Sequence, residues 1–257
     1  MLLAIDCGNT NTVFAVFDGD RMAGKWRIST DAGRTADEYA VWLTQLMQLS
    51  GIGVGDIDAA IAATVVPAKR FELAQLITRY FKVPARFVRD PSLRLGLDIL
   101  IDRPEQVGAD RLVAAVAAHV RYPGDLIVID FGTGTTFDVI DAAGNFRGGI
   151  IAPGINLSVE ALYMAGAQLP RVAVEKPARV IGGATVPAMQ SGIFWGYVSM
   201  IEGMIPRIKA EYGKPMRVVA TGGLAALFAD VVPVIEATEP DLVLLGLLDL
   251  HRRNLGG

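Results

Sequence analysis

The stretch Leu2–Thr12, LLAIDCGNTNT, is echoed at Leu126–Thr136, LIVIDFGTGTT. Each copy is an apolar strand that ends on a carboxylate and runs into a turn of small, hydroxylated or amide residues. Laid together without a gap, Asp6 falls on Asp130, Gly8 on Gly132 and Thr12 on Thr136. A weaker echo sets Ile61-Ala62-Ala63-Thr64 beside Val218-Val219-Ala220-Thr221. An internal repeat constrains architecture more than any local signal. Here it is one duplication, not an array. It predicts two copies of one α/β unit facing a shared cleft. The turns have two readings. They are tight hairpins with β-branched strand formers, or they bring glycine backbone, free N–H groups and threonine hydroxyls to phosphate oxygens.

A chain of 257 residues has room for one large or two modest domains, and 52% apolar residues supply a sizeable core. The formal charge is −3, with acids and bases scattered. That distribution argues against a nucleic-acid face or a basic membrane patch. A mildly acidic protein that binds anions needs local positive charge, which a metal ion supplies. Cys7 stands alone, so no intramolecular disulfide can form and a reducing compartment fits. At the end of an apolar strand it reads as a small buried space-filler. His119 and His251 fall in helical patterns and read as structural, which excludes metal sites built on His/Cys clusters. Asp6 arrives before any long apolar run, and Leu242–Leu248 is too short to span a bilayer. A soluble, cytoplasmic protein is expected.

Leu2–Asp6, Val13–Phe17 and Met22–Ser29 read as strands. Thr35-Ala36-Asp37-Glu38 has capping-box spacing ahead of a helix carrying Tyr39, Trp42, Leu43 and Leu46. Ile57–Val66 and Ala85–Val88 read as strands, with a helix between them. Asp90–Gln106 is irregular, and connections of that length are often functional. Gly108-Ala109-Asp110-Arg111 opens another helix. Tyr122-Pro123-Gly124-Asp125 is the expected boundary between domains 1–121 and 122–257. Beyond it lie a helix near Asn156–Met164 and a loop-rich stretch, Ala165–Gly182. A long helix, Val186–Tyr212, follows, which Pro206 should kink or break. A strand, Arg217–Thr221, leads into a turn and a short helix. Asp241–Arg253 is a last amphipathic helix, and the tail Asn254–Gly257 is expected to be disordered.

Asp6 and Asp130 each end a strand at the lip of a hairpin. Such aspartates often bond their own downstream backbone. Their pairing also suits a cation. Two like charges about 4 Å apart interact by about 4 kcal/mol at an effective dielectric near 20, so a carboxylate beside a triphosphate needs a cation between them. Mg²⁺ is the natural choice. Asp110 likewise has two readings. In a first helical turn it stabilises the macrodipole and caps N–H groups. It could also orient a hydroxyl and accept its proton late, while Arg111 holds an anionic group. The helix terminus is expected to lower its pKa, which a loose phosphoryl-transfer transition state tolerates. Thr221-Gly222-Gly223 and Gly182-Gly183-Ala184-Thr185 are weak signals by themselves.

Several of these stretches occur together and in order. They are Asp6-Cys7-Gly8-Asn9-Thr10-Asn11, Trp26-Arg27-Ile28-Ser29-Thr30, Arg34–Tyr39, Gly108–Arg111, Asp130–Asp138, Gly148–Gly154 and Thr221-Gly222-Gly223. As a set they resemble type III pantothenate kinase, within the actin, hexokinase and heat-shock ATPase superfamily. The resemblance runs from the first residues to Leu250. It implies two duplicated ribonuclease-H-like α/β domains, the actin-like ATPase and sugar kinase fold. It implies transfer of the ATP γ-phosphate to the primary hydroxyl of pantothenate, the first step of coenzyme A synthesis. By resemblance, Asp6, Cys7, Gly8, Asn9, Thr10, Asn11, Thr12 and Val13 form the first ATP loop, and Thr133 contacts ATP from the second. Asp110 is the proton acceptor, and Gly108, Ala109, Asp110 and Arg111 line the pantothenate site with Thr185. Asp130 holds a monovalent cation, K⁺ or NH₄⁺, alongside Mg²⁺, for which Asp6 is a further candidate ligand. A homodimer is implied, without nucleic acid or membrane partners.

Two positions depart from the pattern. Asp90–Val107 lacks the tyrosine that covers the substrate in some members, and Leu100 or Ile101 is expected in its stead. Gly134 stands where alanine is usual, which only loosens the backbone. Two rivals remain. One is a non-catalytic nucleotide-binding regulator of the same fold. The other is a kinase of another small hydroxy acid.

Overall fold

The computed structural model describes residues 1–166 and 169–255. The expectations for Ala165–Gly182 and for the tail therefore lie outside the described residues at 167–168 and 256–257. The chain divides into two compact units. The first holds Met1–Asp98, Asp102–Val120 and Leu242–Gly257, and the second holds Ile99–Ile101 and Arg121–Asp241.

In the first unit the strands are β1 (Leu2–Cys7), β2 (Asn11–Asp18), β3 (Arg21–Ser29), β4 (Ala59–Thr64) and β5 (Ala85–Phe87), in sheet order β3-β2-β1-β4-β5. The first three form an antiparallel meander, while β4 and β5 join parallel to β1. Helix α1 (Ala36–Leu49) starts where the spacing predicted. Thr35 Oγ1 accepts from the Glu38 N–H, and the Glu38 carboxylate accepts from the Thr35 N–H at 2.7 Å. The Thr35 N–H, and with it the Thr35 hydroxyl at 3.0 Å, donate to that carboxylate and hold the Glu38 carboxyl below its usual range.

Tyr39, Leu43 and Met47 of α1 are fully buried on the sheet face that carries Leu3, Ile5, Phe14 and Val16. Each such side chain contributes about 1.5–3 kcal/mol. Helix α2 (Lys69–Gln75) lies in the same cluster through Leu73, continues as one π-helical segment over Leu76–Phe81, and stops at Lys82, where φ is 61°. The opposite sheet face presents Leu2, Ala4, Phe17 and Ile61 to α3 (Ala109–Arg121).

In the second unit the strands are β6 (Leu126–Phe131), β7 (Gly134–Ile140), β8 (Phe146–Pro153), β9 (Arg217–Gly222) and β10 (Ala237–Thr238). Their order, β10-β9-β6-β7-β8, is that of the first sheet read from its other edge. The meander and the parallel pairs recur. The duplication suggested by sequence is therefore a duplication of topology. Helices α4 (Ile155–Ala165), α5 (Thr185–Tyr212) and α6 (Ala225–Ala229) cover the face with Ile127, Ile129, Phe131 and Phe137.

Of the two outcomes expected at Pro206, a break is excluded: α5 runs over Thr185–Tyr212 with Pro206 inside it and ends at Gly213 in the left-handed region. Proline removes one backbone donor, but Ile201, Ile205 and Ile208 on either side are buried in the core of the unit. Their burial offsets that loss. The placement of the last helix is corrected. That helix, α7 (Leu242–Arg253), was expected with residues 122–257 but packs on the first sheet. Leu244, Leu247 and Leu248 lie against Ala4, Ile61, Val113 and Val116. Gly246 permits this, because a side chain there would overlap the Val113 carbonyl. The tail is tied as far as Asn254, whose side chain bonds Arg94 and Leu250. Among the described residues, no helix is long and apolar enough to cross a membrane.

Candidate active site

The two hairpins superpose in topology but not in length. In the first, Cys7 pairs with Thr12 and the Gly8 N–H donates to Asn11 O at 3.0 Å. In the second, Phe131 pairs with Thr135 and the Gly132 N–H donates to Gly134 O at 3.0 Å. The first turn is one residue longer. The threonine that matches Thr12 in the sheet is therefore Thr135, not Thr136, and both are buried. The weaker echo slips in the same way. Ala63 stands beside Asp6, and Thr221 stands beside Asp130. An ungapped overlay cannot detect a one-residue difference inside a turn, because strand register is set by backbone pairing.

Asp6 and Asp130 both sit half-buried at the lip of their turns, as expected. Their surroundings differ. Residues paired directly across strands share a sheet face. Asp6 has Val13 and Ala63 beside it, whereas Asp130 has Thr136 and Thr221. The Thr136 Oγ1 is buried and has no hydrogen-bond partner among the described residues. An orphaned hydroxyl beside a carboxylate is a donor set that fits a weakly held monovalent cation. Val13 and Ala63, the residues paired with Asp6, have apolar side chains. Asp6 fits a magnesium ion that takes most of its ligands from phosphate and water. Among the described residues, no cluster of three acidic, histidine or cysteine side chains forms a metal cage.

Gly222, at φ +89°, ends β9 beneath the Asp130 carboxylate. A Cβ there would meet Asp130 Oδ1 at 2.6 Å. Gly154, the cap residue of α4, is as tightly placed, because a side chain would overlap the Thr133 carbonyl. The second turn thus rests directly on the start of α4. That contact is fixed from below. The Tyr197 hydroxyl on α5 donates to Pro153 O at 2.6 Å and lies 2.9 Å from Ser158 Oγ, whose hydroxyl bonds Gly154 O.

Asp110 lies at the start of α3, in the first unit. Val65 links it to the first hairpin. Its N–H donates to Cys7 O at 3.2 Å, and its Cγ1 lies 3.4 Å from a Cβ placed on Gly108. The same Cβ would overlap Asp110 Oδ1, so glycine at 108 makes room for the carboxylate. A helix terminus by itself lowers a carboxylate pKa, the direction expected for Asp110. The direction is the reverse. Burial pushes it up, and the Arg111 N–H bond to Oδ1 at 2.8 Å together with the Arg111 guanidinium recovers only part of the shift. Desolvation outweighs the helix end because the carboxylate is turned inward against Gly108.

The first hairpin and Gly108–Arg111 are thus brought to one edge of the first sheet. Asp130 and Thr133 share one hairpin of the second unit, and Thr185 is exposed at the first residue of α5 in that unit. The expected substitute for the covering tyrosine lies at Ile99–Ile101. This segment joins the second unit, where the Leu100 N–H donates to Phe146 O at 2.8 Å. Leu100 is exposed. The supporting roles of Gly154, Tyr197 and Thr136 were not legible in the sequence. Their only signals were membership of a glycine-rich stretch, of a long helix and of a strand.

Two duplicated ribonuclease-H-like units, each offering a carboxylate and a turn at the same sheet edge, define the actin-like ATPase and sugar kinase fold. A solved structure described as a candidate 2-dehydro-3-deoxygalactonokinase from Sinorhizobium meliloti is similar in fold. It has 14% identity over 100% of this chain and 98% of that one, with a TM-score of 0.59. Residues 2–207 match the family described as type III pantothenate kinase. Relatives bearing that description are 65% identical in Paramagnetospirillum magneticum, over 99% of this chain and 98% of the relative. In Rhodospirillum rubrum the identity is 63%, over 99% of each. The chain belongs to the type III pantothenate kinase family and is an enzyme.

Proposed function

We propose that this enzyme transfers the γ-phosphoryl group of ATP to the primary hydroxyl of pantothenate, giving 4′-phosphopantothenate for coenzyme A synthesis in the cytoplasm. Family membership supports the reaction. The observation that carries the residue roles is the half-buried Asp110 carboxylate, with its raised proton affinity, on the edge that bears the first phosphate-type turn. A general base works best when its pKa is moved toward the operating pH.

In this reading Asp110 accepts the hydroxyl proton as the substrate oxygen bonds to the γ-phosphorus. The bond from that phosphorus to the bridging oxygen breaks, and ADP leaves with its electron pair. Gly108, Ala109 and Arg111 bind pantothenate with Thr185, and Arg111 offers its guanidinium to the pantothenate carboxylate. Asp6–Val13 and Thr133 bind ATP through turn backbone and hydroxyls. Mg²⁺ held near Asp6 and K⁺ or NH₄⁺ held by Asp130 would screen the phosphate charge that builds up in transfer.

A homodimer belongs to the same proposal. Large exposed apolar residues concentrate between Ile151 and Val186, among them Met164, Val180 and Ile181. Exposed apolar side chains on one stretch of chain support association with a second copy. The test of function is ADP release with pantothenate, Mg²⁺ and K⁺, run beside a panel of other small hydroxy acids. Turnover that is pantothenate-dependent and strongest with that acid is expected. Background rates, or a better acceptor in the panel, would overturn the assignment. Sedimentation of wild type and Ile181→Asp tests the dimer, which should dissociate in the variant.

A further inference from the structure

Thr30 follows β3 and lies beneath the first turn. Three of its contacts converge there. Its hydroxyl donates to Gly8 O at 2.8 Å, its N–H donates to Thr10 O at 2.9 Å, and its Oγ1 lies 2.9 Å from the fully buried Thr12 Oγ1. Direction follows from counting protons. Gly8 O can only accept, so the single Thr30 hydroxyl proton goes there. Thr30 Oγ1 then accepts from Thr12. The Thr12 proton has a second acceptor in Cys7 Sγ at 3.4 Å, but sulfur is the weaker one. The result is a one-way chain from Thr12 through Thr30 to the Gly8 carbonyl.

The consequence for the turn is geometric. The peptide joining Gly8 to Asn9 is planar and trans, so its C=O and N–H point in opposite directions. Holding Gly8 O down toward Thr30 turns the Asn9 N–H outward, at an exposed residue of the turn. An outward N–H at a glycine turn is the group that receives a phosphate oxygen. Among the described residues the second hairpin has no counterpart: Thr135 occupies the position of Thr12, yet its buried Oγ1 has no partner there. That turn is instead supported from beneath by Gly154.

We infer that Thr30 is a positioning residue for ATP. It contacts no nucleotide itself but sets the peptide that does, through its hydroxyl. This rests on the proposed ATP role of the first hairpin.

The test compares wild type with Thr30→Val and Thr30→Ser. Valine keeps the shape and the N–H bond to Thr10 but removes the hydroxyl. The expected result for Thr30→Val is a KM for ATP raised about tenfold, the loss of roughly one useful hydrogen bond. The KM for pantothenate should stay within about twofold. Thr30→Ser should restore the ATP value. Calorimetric binding of a non-hydrolysable ATP analogue is measured on the same three proteins without pantothenate. This separates failure of the inference from failure of the kinase assignment, since it needs no turnover. An unchanged analogue affinity in Thr30→Val would overturn the inference. Equal losses for both substrates with a lowered Tm would also overturn it, because a merely structural threonine gives that result. Should Thr30→Val not fold, Thr30→Ala is measured in its stead. It removes the same hydroxyl while keeping the N–H bond to Thr10, and it should weaken analogue binding in the same direction. Unchanged binding there would overturn the inference.

Discussion

The Asp130 carboxylate occupies the space that a side chain on Gly222 would need. Oδ1 would lie 2.6 Å from a Cβ there, and the residue has φ +89°. Strand β9 therefore ends on the one residue type that suits both the conformation and the neighbour. Gly222→Ala should destabilise the protein by about 2–4 kcal/mol, from left-handed strain plus overpacking against Asp130 and the Phe131 carbonyl. Urea unfolding checks this, and a midpoint within error of wild type would contradict it.

Asp110 is held in a setting that penalises its charged form. The folded protein binds this proton more tightly than the unfolded chain does. Its favourable contribution to stability is complete below the ordinary carboxylate value and is lost as pH rises through the raised folded value. At neutral pH the ionised group is a net cost. Asp110→Asn removes that cost while keeping an oxygen for the Arg111 N–H. It should raise Tm at pH 7 and lower turnover about 10²–10⁴-fold, with ATP binding retained. In wild type, kcat/KM should fall on the acid side as pH drops through the raised Asp110 value. A Tm below wild type, or wild-type turnover, would count against both roles.

The second turn depends on the absence of a side chain at Gly154. A methyl there overlaps the Thr133 carbonyl, and the turn must move by a large fraction of an ångström. Gly154→Ala should raise the KM for ATP between about 10- and 100-fold. Gly108–Arg111, which carry most of the proposed pantothenate contacts, lie in the other unit, so pantothenate binding should change less than ATP binding. Steady-state kinetics with each substrate varied in turn distinguishes the two.

Thr136 Oγ1 is buried beside Asp130 without a partner among the described residues. Thr136→Val removes a candidate cation ligand and an unsatisfied hydroxyl together. Stability should be unchanged or slightly higher, whereas the concentration of K⁺ needed for half-maximal activity should rise several-fold. A potassium titration at saturating ATP reads this out, and an unaltered titration would remove Thr136 from the cation site.

Much of this protein follows from its residues in order. The repeat of strand, carboxylate and turn announced two units of one topology, because alternating apolar strands and glycine turns admit few arrangements. The Thr35–Glu38 box started α1 where its spacing said, since a cap acts over one turn of chain. The Asp6, Asp130 and Asp110 stretches stood out as candidates because the chemistry they offer is local.

What depended on tertiary structure was decided by neighbours distant in the chain. The match of Thr12 to Thr135 came from strand register, which backbone pairing sets and a linear overlay cannot see. Helix α7 joined the first sheet because its leucines met Ala4 and Ile61, nearly the whole chain length away. Pro206 was carried within α5 because buried isoleucines on both sides outweighed one missing bond. The proton affinity of Asp110 reversed its expected direction for the same reason. A helix terminus is visible in sequence, but desolvation depends on what packs against the carboxyl, and only the folded chain brings Gly108 and Val65 there.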